Sequence, residues 1–473
     1  MLSAFSALSA CRRGAARLAA ATLVSGLVAA GAVATAGTAV ADETPQSPGG
    51  ATATLGDLKT YGSAVIHDHG EDSWVSAGLF EMSVDDGGTL QTYCIDLHNP
   101  TQRDARYQET SWSGTSLSGN KDAGRIRWIL RNSYPQVNDL TALAEKAGVG
   151  GLTEQDAAAG TQVAIWRYSD GADVDAADPK AEKLADYLQR NARNLPEPDA
   201  SLTLTPAAVS GHPGERLGPV TVHTDADGVT VAPPADTAAS GVKVVDGHGK
   251  PVTSAADGSR LFFDIPKDSA DGSASLTVQA STSVPVGRAF ASDSRSQTQI
   301  LAGSSESTVS ATATVDWAAK GAIPALTAEK NCADGGVDIT AVNKGDEAFT
   351  FELMGVEHTI AAGAAQTMTV PLQEDQAYDF TISGPSGFAK RFKGVLDCRT
   401  QGGASDITTQ TVGEPSPASI GGGGSGGSDL AETGGSGATP VIAGVAIALV
   451  LVGGAAVLFV RRKQTPEQGP AQD

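Results

Sequence analysis

Tyr93-Cys94-Ile95-Asp96 and Thr161-Gln162-Val163-Ala164-Ile165-Trp166 are the two stretches on which the reading of this chain turns. The first ends a run, Thr89 to Leu97, whose residues alternate as on a strand, which puts Thr92, Cys94, Asp96 and His98 on one face. The second sits in a predicted helix, Glu154 to Ser169. Thr153-Glu154-Gln155-Asp156 opens it as a capping-box variant, and Gly171 stops it. The helical neighbours of Gln162 are Ala158, Ala159, Ile165 and Trp166. That face is apolar, and Ala157 to Gly160 are small enough for close approach, so the carboxamide is expected to be buried. Unpartnered, it would cost on the order of 1–3 kcal/mol. The plain account is that it caps a backbone group of a neighbouring strand.

Around these stretches the pattern is mixed. A strand over Ser73 to Val84 leads through Asp85-Asp86-Gly87-Gly88 into the cysteine strand, as in a hairpin. Helices are predicted from Ala123 to Asn132, ending before Ser133-Tyr134-Pro135, and from Pro179 to Ala192. Residues 54–195 therefore read as an α+β domain, preceded by a polar linker over 42–53. Beyond Leu195-Pro196 the helical period vanishes. Short alternating runs at Leu202/Leu204, Val220/Val222, Val242/Val244, Leu276/Val278 and Val309 to Val315 predict a β-sandwich over 196–320. A second all-β, Ig-like domain is predicted over 321–400 from Val337/Ile339, Phe349/Phe351, Met368/Val370 and Phe380/Ile382. Residues 401–429 are Gly-, Ser-, Thr- and Pro-rich and read as a flexible stalk. Its root-mean-square reach is roughly 30 Å.

The two ends carry export signals. Arg12, Arg13 and Arg17 precede an apolar stretch, and Ala39-Val40-Ala41 has the small-x-small form of a cleavage site, so residues 1–41 read as a signal peptide. Near the other end, Leu430-Ala431-Glu432-Thr433-Gly434 precedes an uncharged span over 440–460 and then Arg461-Arg462-Lys463. That span is long enough for a hydrocarbon core of ~30 Å, and the basic cluster would stop transfer. The three features over 430–473 together resemble a sortase sorting signal of Gram-positive bacteria, of the LAxTG type. The resemblance implies cleavage between Thr433 and Gly434, with sortase and then peptidoglycan as partners. A plain membrane anchor would explain the span but not the pentapeptide. The whole chain carries a formal charge of −21; the terminal segments carry +3 and +1, which leaves −25 on residues 42–433. That balance excludes a basic nucleic-acid footprint and fits a soluble extracellular protein.

Four cysteines are present, and Cys11 leaves with the signal. Cys332 and Cys398 bracket the last β domain and are expected to form a disulfide, as small exported domains often need one. Cys94 is left over. It reads as a buried inert thiol, an intermolecular disulfide, a nucleophile, or half of another cross-link.

The two opening stretches, in this order and 68 residues apart, resemble the cysteine and glutamine motifs of the thioester (TQXA) domains of Gram-positive surface proteins. The segment Ile126 to Pro135 looks like the intervening helix of that family, and the resemblance covers about residues 54–195. It implies a bond from the Cys94 sulfur to the Gln162 side-chain carbonyl, with loss of ammonia. It also implies a wall-anchored adhesin that attaches covalently, once and without turnover, to a partner nucleophile, an amine or a hydroxyl. Asp96, His98, Thr161 and Trp166 are the candidate supporting residues, with Asp96 or His98 moving protons. No cofactor or metal is expected; His67-Asp68-His69 reads as loop. The competing readings are a passive wall protein with an inert cysteine, and an enzyme with Cys94 as nucleophile and a histidine base.

Overall fold

The computed structural model describes residues 49–400, except His69, Ala235 and Asp236. The expected signal peptide, stalk, sorting motif and terminal span lie outside the described residues. Among the described residues no helix is long and apolar enough to cross a membrane.

The first module is built on a closed antiparallel sheet. Its strands are β1 (Thr52–Asp68), β2 (Glu71–Val84), β3 (Thr89–Cys94) and β4 (Arg106–Thr110), joined by two strands from far along the chain, Ala289–Ser292 and Gln299–Ser304. The pairing runs from β2 to β3, then through 299–304 and 289–292 to β4 and β1, and β1 returns to β2. A short strand, β5 (Val174–Ala176), adds to the far end of β1. Closure leaves these six strands without a free edge.

Two expectations change here. Residues 289–304 fall within the range read as sandwich, yet they pair with β3 and β4 of the first module. The apolar run Gln299-Ile300-Leu301-Ala302 is buried on this sheet. The first module is thus discontinuous in sequence, and a boundary at 195/196 cuts through its sheet. The stretch read as linker to Ala53 already belongs to β1 from Thr52 onward. That 17-residue strand escaped the sequence reading. Register shifts between Leu55 and Leu58 and between Leu58 and Thr60 break its alternation, as bulges do.

Helices α1 (Ala123–Asn132), α2 (Leu140–Ala147), α3 (Glu154–Ser169) and α4 (Pro179–Asn191) complete the module. Helix α3 starts on the predicted capping box, with Thr153 Oγ1 accepting from Asp156 N–H and the Asp156 carboxylate accepting from Thr153 N–H. It is buried almost all round. Small residues allow this. A Cβ on Gly160 would stand 2.4 Å from Ala181 O of α4, and one on Gly62 of β1 would stand 3.0 Å from the Ala159 Cβ.

Residues 202–317, apart from the hairpin, form a four-stranded and a five-stranded sheet. The expected runs at Leu202, Val220, Val244, Leu276 and Val309 are all on these strands. A buried ion pair joins this part to the first module. Glu109 of β4 accepts from Arg288 Nε (2.9 Å), Ser201 N–H (3.0 Å), Ser201 Oγ and Ala51 N–H (3.1 Å). Arg288 also donates to Glu197 (2.8 Å) and to Pro198 O (3.1 Å). The last module, 324–395, has a three-stranded sheet and two two-stranded ladders round Val337, Ile339, Phe349, Phe351 and Ile382. Cys332 and Cys398 form the expected disulfide.

Candidate functional site

Strand β3 ends at Cys94, and its two sides end differently. On one side the ladder to β2 stops at Thr92, paired with Phe80. On the other, Cys94 lies opposite Gln299, and Ile95 N–H donates to Thr298 O at 3.2 Å. The N–H and C=O of Cys94 therefore face the side that β2 has vacated. The Gln162 carboxamide takes that place. Cys94 N–H donates to Gln162 Oε1 (3.0 Å), and Gln162 Nε2 donates to Cys94 O (2.8 Å). Both residues are buried, at 3% and 1% exposure. The expectation that Gln162 caps a strand backbone holds, and the strand residue it caps is Cys94.

Gln299 is the residue that sequence reading missed. Directly opposite residues share a face of the sheet, and Gln299 Nε2 donates to Cys94 Sγ at 3.2 Å. Thr92 Oγ1 donates to Gln299 Oε1 at 3.0 Å and fixes the direction of that amide. Burial pushes the Cys94 thiol well above its usual range; the Gln299 bond opposes this, and the negative fields of Asp96 and Asp170 add to it. A loop rich in serine followed by an apolar run is the hairpin signal that would have flagged the strand.

The four supporting candidates separate. Asp96 is fully buried. Its carboxylate accepts from His98 N–H (3.2 Å) and from Asn99 Nδ2, which turns the chain away from the strand. His98 therefore lies past the strand end with an exposed side chain, and the expected shared face stops at Cys94. Burial, then the charges of Asp397 and Asp170, push the Asp96 carboxyl up to about 8. Thr161 Oγ1 donates to Ala157 O within its own helix (2.7 Å). Trp166 is buried, with its Nε1 unpartnered among the described residues.

Two further aspartates close round the site. Asp170, at the end of α3, accepts from Leu97 N–H (2.8 Å) and Ser169 Oγ (2.5 Å), and burial pushes it up to about 7. Asp397, from the last module, accepts from Thr298 Oγ1 at 2.9 Å. Burial first, and the charges of Glu374 and Asp375 after it, push Asp397 up to about 6. Among the described residues, Glu374, Asp375 and Asp397 form the one set of three acidic groups close enough to share a cation, within 4.8 Å of one another. Glu374 already accepts from Cys398 and Arg399 N–H, and Asp397 from Thr298.

Comparison with known proteins bears on this geometry. Residues 312–395 match the family model described as the C-terminal domain of bacterial phospholipase C. Among solved structures, the chain is similar to the Bacillus anthracis TIE protein at 16% identity, over 73% of this chain and 64% of that one, with a TM-score of 0.27. It is similar to the thioester domain of the Enterococcus faecium TIE86 protein at 14% identity, over 57% of this chain and 96% of that one, with a TM-score of 0.27. The chain thus spans less than two thirds of the first of these. No curated protein matches the chain. Residues 91–194 match the Thioester domain family model. The matched segment holds Cys94, Asp96 and Gln162, while Gln299 and Asp397 fall outside it.

Proposed function

We propose that this protein is a wall-anchored surface adhesin that forms a thioester between Cys94 and Gln162 and spends it once on a nucleophile, an amine by preference, of a partner surface. The observation that carries the reading is the double hydrogen bond between the Gln162 carboxamide and the backbone of Cys94. It holds the electrophilic carbon beside the residue whose sulfur attacks it. Fixing two groups in this way contributes roughly 7–11 kcal/mol of barrier through effective molarity. The Cys94 N–H on Oε1 is also an oxyanion donor, and one such donor is worth about 10²–10³ in rate.

The step balances. Cys94 Sγ bonds to the side-chain carbonyl carbon, the C–N bond breaks, and the thiol proton leaves with the amide nitrogen as ammonia. Asp96, buried two residues on from Cys94 with its carboxyl pushed up to about 8, is our candidate for relaying that proton. When an amine attacks later, an amide forms, the C–S bond breaks and the amine proton returns to sulfur. The thioester-domain match over 91–194 supports this reading. The sequence features at 1–41 and 430–473 support export, sortase cleavage after Thr433 and attachment to peptidoglycan. Gln299, an uncharged amide, stands against the sulfur where a cysteine-nucleophile enzyme would have an imidazole, which favours single use over turnover.

Intact mass tests the bond. The exported protein is expected one ammonia lighter than its sequence, and Cys94→Ala or Gln162→Ala restores the full mass. A wild-type protein of full mass with a titratable Cys94 thiol refutes the reading and leaves a passive protein whose glutamine only caps a strand.

A further inference from the structure

We infer that the last β module completes the reactive centre of the first, with Asp397 a positioning residue for the Cys94–Gln162 reaction that acts through Thr298 and Asp96. The inference rests on the thioester reading above.

Three contacts carry it. Asp397 accepts from Thr298 Oγ1, and Thr298 O accepts from Ile95 N–H, so the Asp397 carboxylate is two hydrogen bonds from the residue between Cys94 and Asp96. Thr298 also precedes Gln299, the partner of the sulfur. Thr400 Oγ1 donates to Ser169 O at 3.4 Å, bracing α3 two turns beyond Gln162. Cys332 N–H donates to Ser113 O at 3.1 Å. The Cys332–Cys398 disulfide thus ties residues 397–400 to the turn that follows strand Pro324–Asn331, a turn itself bonded to Ser113 of the first module. The last module braces both elements of the site, the strand behind Cys94 and the helix of Gln162.

Asp397 also sets the charge that Asp96 meets. Asp96 faces the carboxylates of Asp397 and Asp170, and is held by Asn99 Nδ2 and His98 N–H. Asp397 faces Glu374, Asp375, Lys330 and Thr298. Lys330 faces Asp397 and Asp293. Asp170 meets Ser169 Oγ and Leu97 N–H. Of these charges, that of Asp397 is the largest contribution to Asp96 after burial. Removing it lets Asp96 ionise at lower pH.

The test is the pH dependence of thioester formation in the full chain, read as ammonia loss by intact mass, for wild type, Asp397→Asn, Asp397→Glu and Thr298→Val. The midpoint of the profile is expected to move to lower pH by on the order of one pH unit in Asp397→Asn. Asp397→Glu should restore it, and Thr298→Val should move it in the same direction by less. A brace with no electrostatic role would lower the yield without moving the midpoint, and that result overturns the inference. A companion measurement separates this from the thioester reading. In a Gln162→Ala background, where no bond can form, carbon NMR of the aspartate carboxyls follows Asp96 directly. Its midpoint should fall when Asp397→Asn is added; an unmoved midpoint overturns the inference whatever the mass data show.

Discussion

Glu109 and Arg288 offer the sharpest test of how the modules are joined. Both are nearly water-free, at 2% and 5% exposure, and Glu109 accepts four hydrogen bonds from three segments of chain. Glu109→Ala leaves the Arg288 guanidinium buried with Glu197 as its one remaining carboxylate, and it strips the acceptor from the N–H groups of Ala51 and Ser201. Breaking a buried pair from one side costs about 3–5 kcal/mol, against a total stability of roughly 5–15 kcal/mol. Arg288→Ala should cost a similar amount, because it leaves the carboxylate to two N–H groups and one hydroxyl. The double variant should cost less than the two singles together, with a coupling of about 1–3 kcal/mol. Urea unfolding of the four proteins, at one pH and with matched slopes, gives the cycle. Single variants that lose under 1 kcal/mol, or strictly additive losses, would refute the claim that this pair rivets strand β4 to the returning hairpin.

Other outcomes follow from the same contacts. Gly160→Ala forces a Cβ to within 2.4 Å of Ala181 O, so α3 and α4 must separate, at about 1–3 kcal/mol in thermal or urea unfolding; unchanged stability would contradict the packing. Gln299→Leu removes the donor to Cys94 Sγ while keeping volume, and should slow ammonia loss severalfold, at a stability cost of about 1–3 kcal/mol for the stranded Thr92 hydroxyl; wild-type kinetics would exclude a role for Gln299. Asp96 and Asp170 hold protons up to about 8 and 7 in the folded chain, whereas an unfolded aspartate ionises near ~3.9. The folded state therefore binds more protons between those limits, and stability should fall as pH rises above about 4, by on the order of 1 kcal/mol per pH unit for each group, until about 7 for Asp170 and about 8 for Asp96. Asp96→Asn should flatten that slope. Reducing Cys332–Cys398 should cost about 2–4 kcal/mol, seen first in hydrogen exchange of the last module.

Much of the architecture was legible because the local signals were strong. The α3 capping box and its stripe of small residues gave a helix whose bounds the structure repeats, and the regular runs at Val337, Phe349 and Phe380 gave the last module. The pairing of Cys94 with Gln162 followed from an odd cysteine and a buried amide, together with the family resemblance. What stayed hidden was non-local. Strand β1 carries bulges and glycines that erase a period of two, and α2 is too short to show a clear stripe. The strand of Gln299 looks like any other in a β-rich stretch; nothing near it in sequence says that its partner lies 205 residues earlier. His98 was misplaced because alternation was carried past the strand end, where the Asp96 carboxylate bends the chain.

The returning hairpin also orders events in time. A polypeptide emerging N-terminus first can make β1 to β4 early, but its ring stays open until residues 289–304 have arrived. Until then β3, with Cys94 at its tip, has a vacant flank, and so does β4. A chain ended at 195 would keep both flanks permanently, as templates for self-association. Linking the ring's closure to the late-arriving segment delays the seating of Gln299 against the Cys94 sulfur until most of the chain has been made, so the surroundings of that sulfur are completed last.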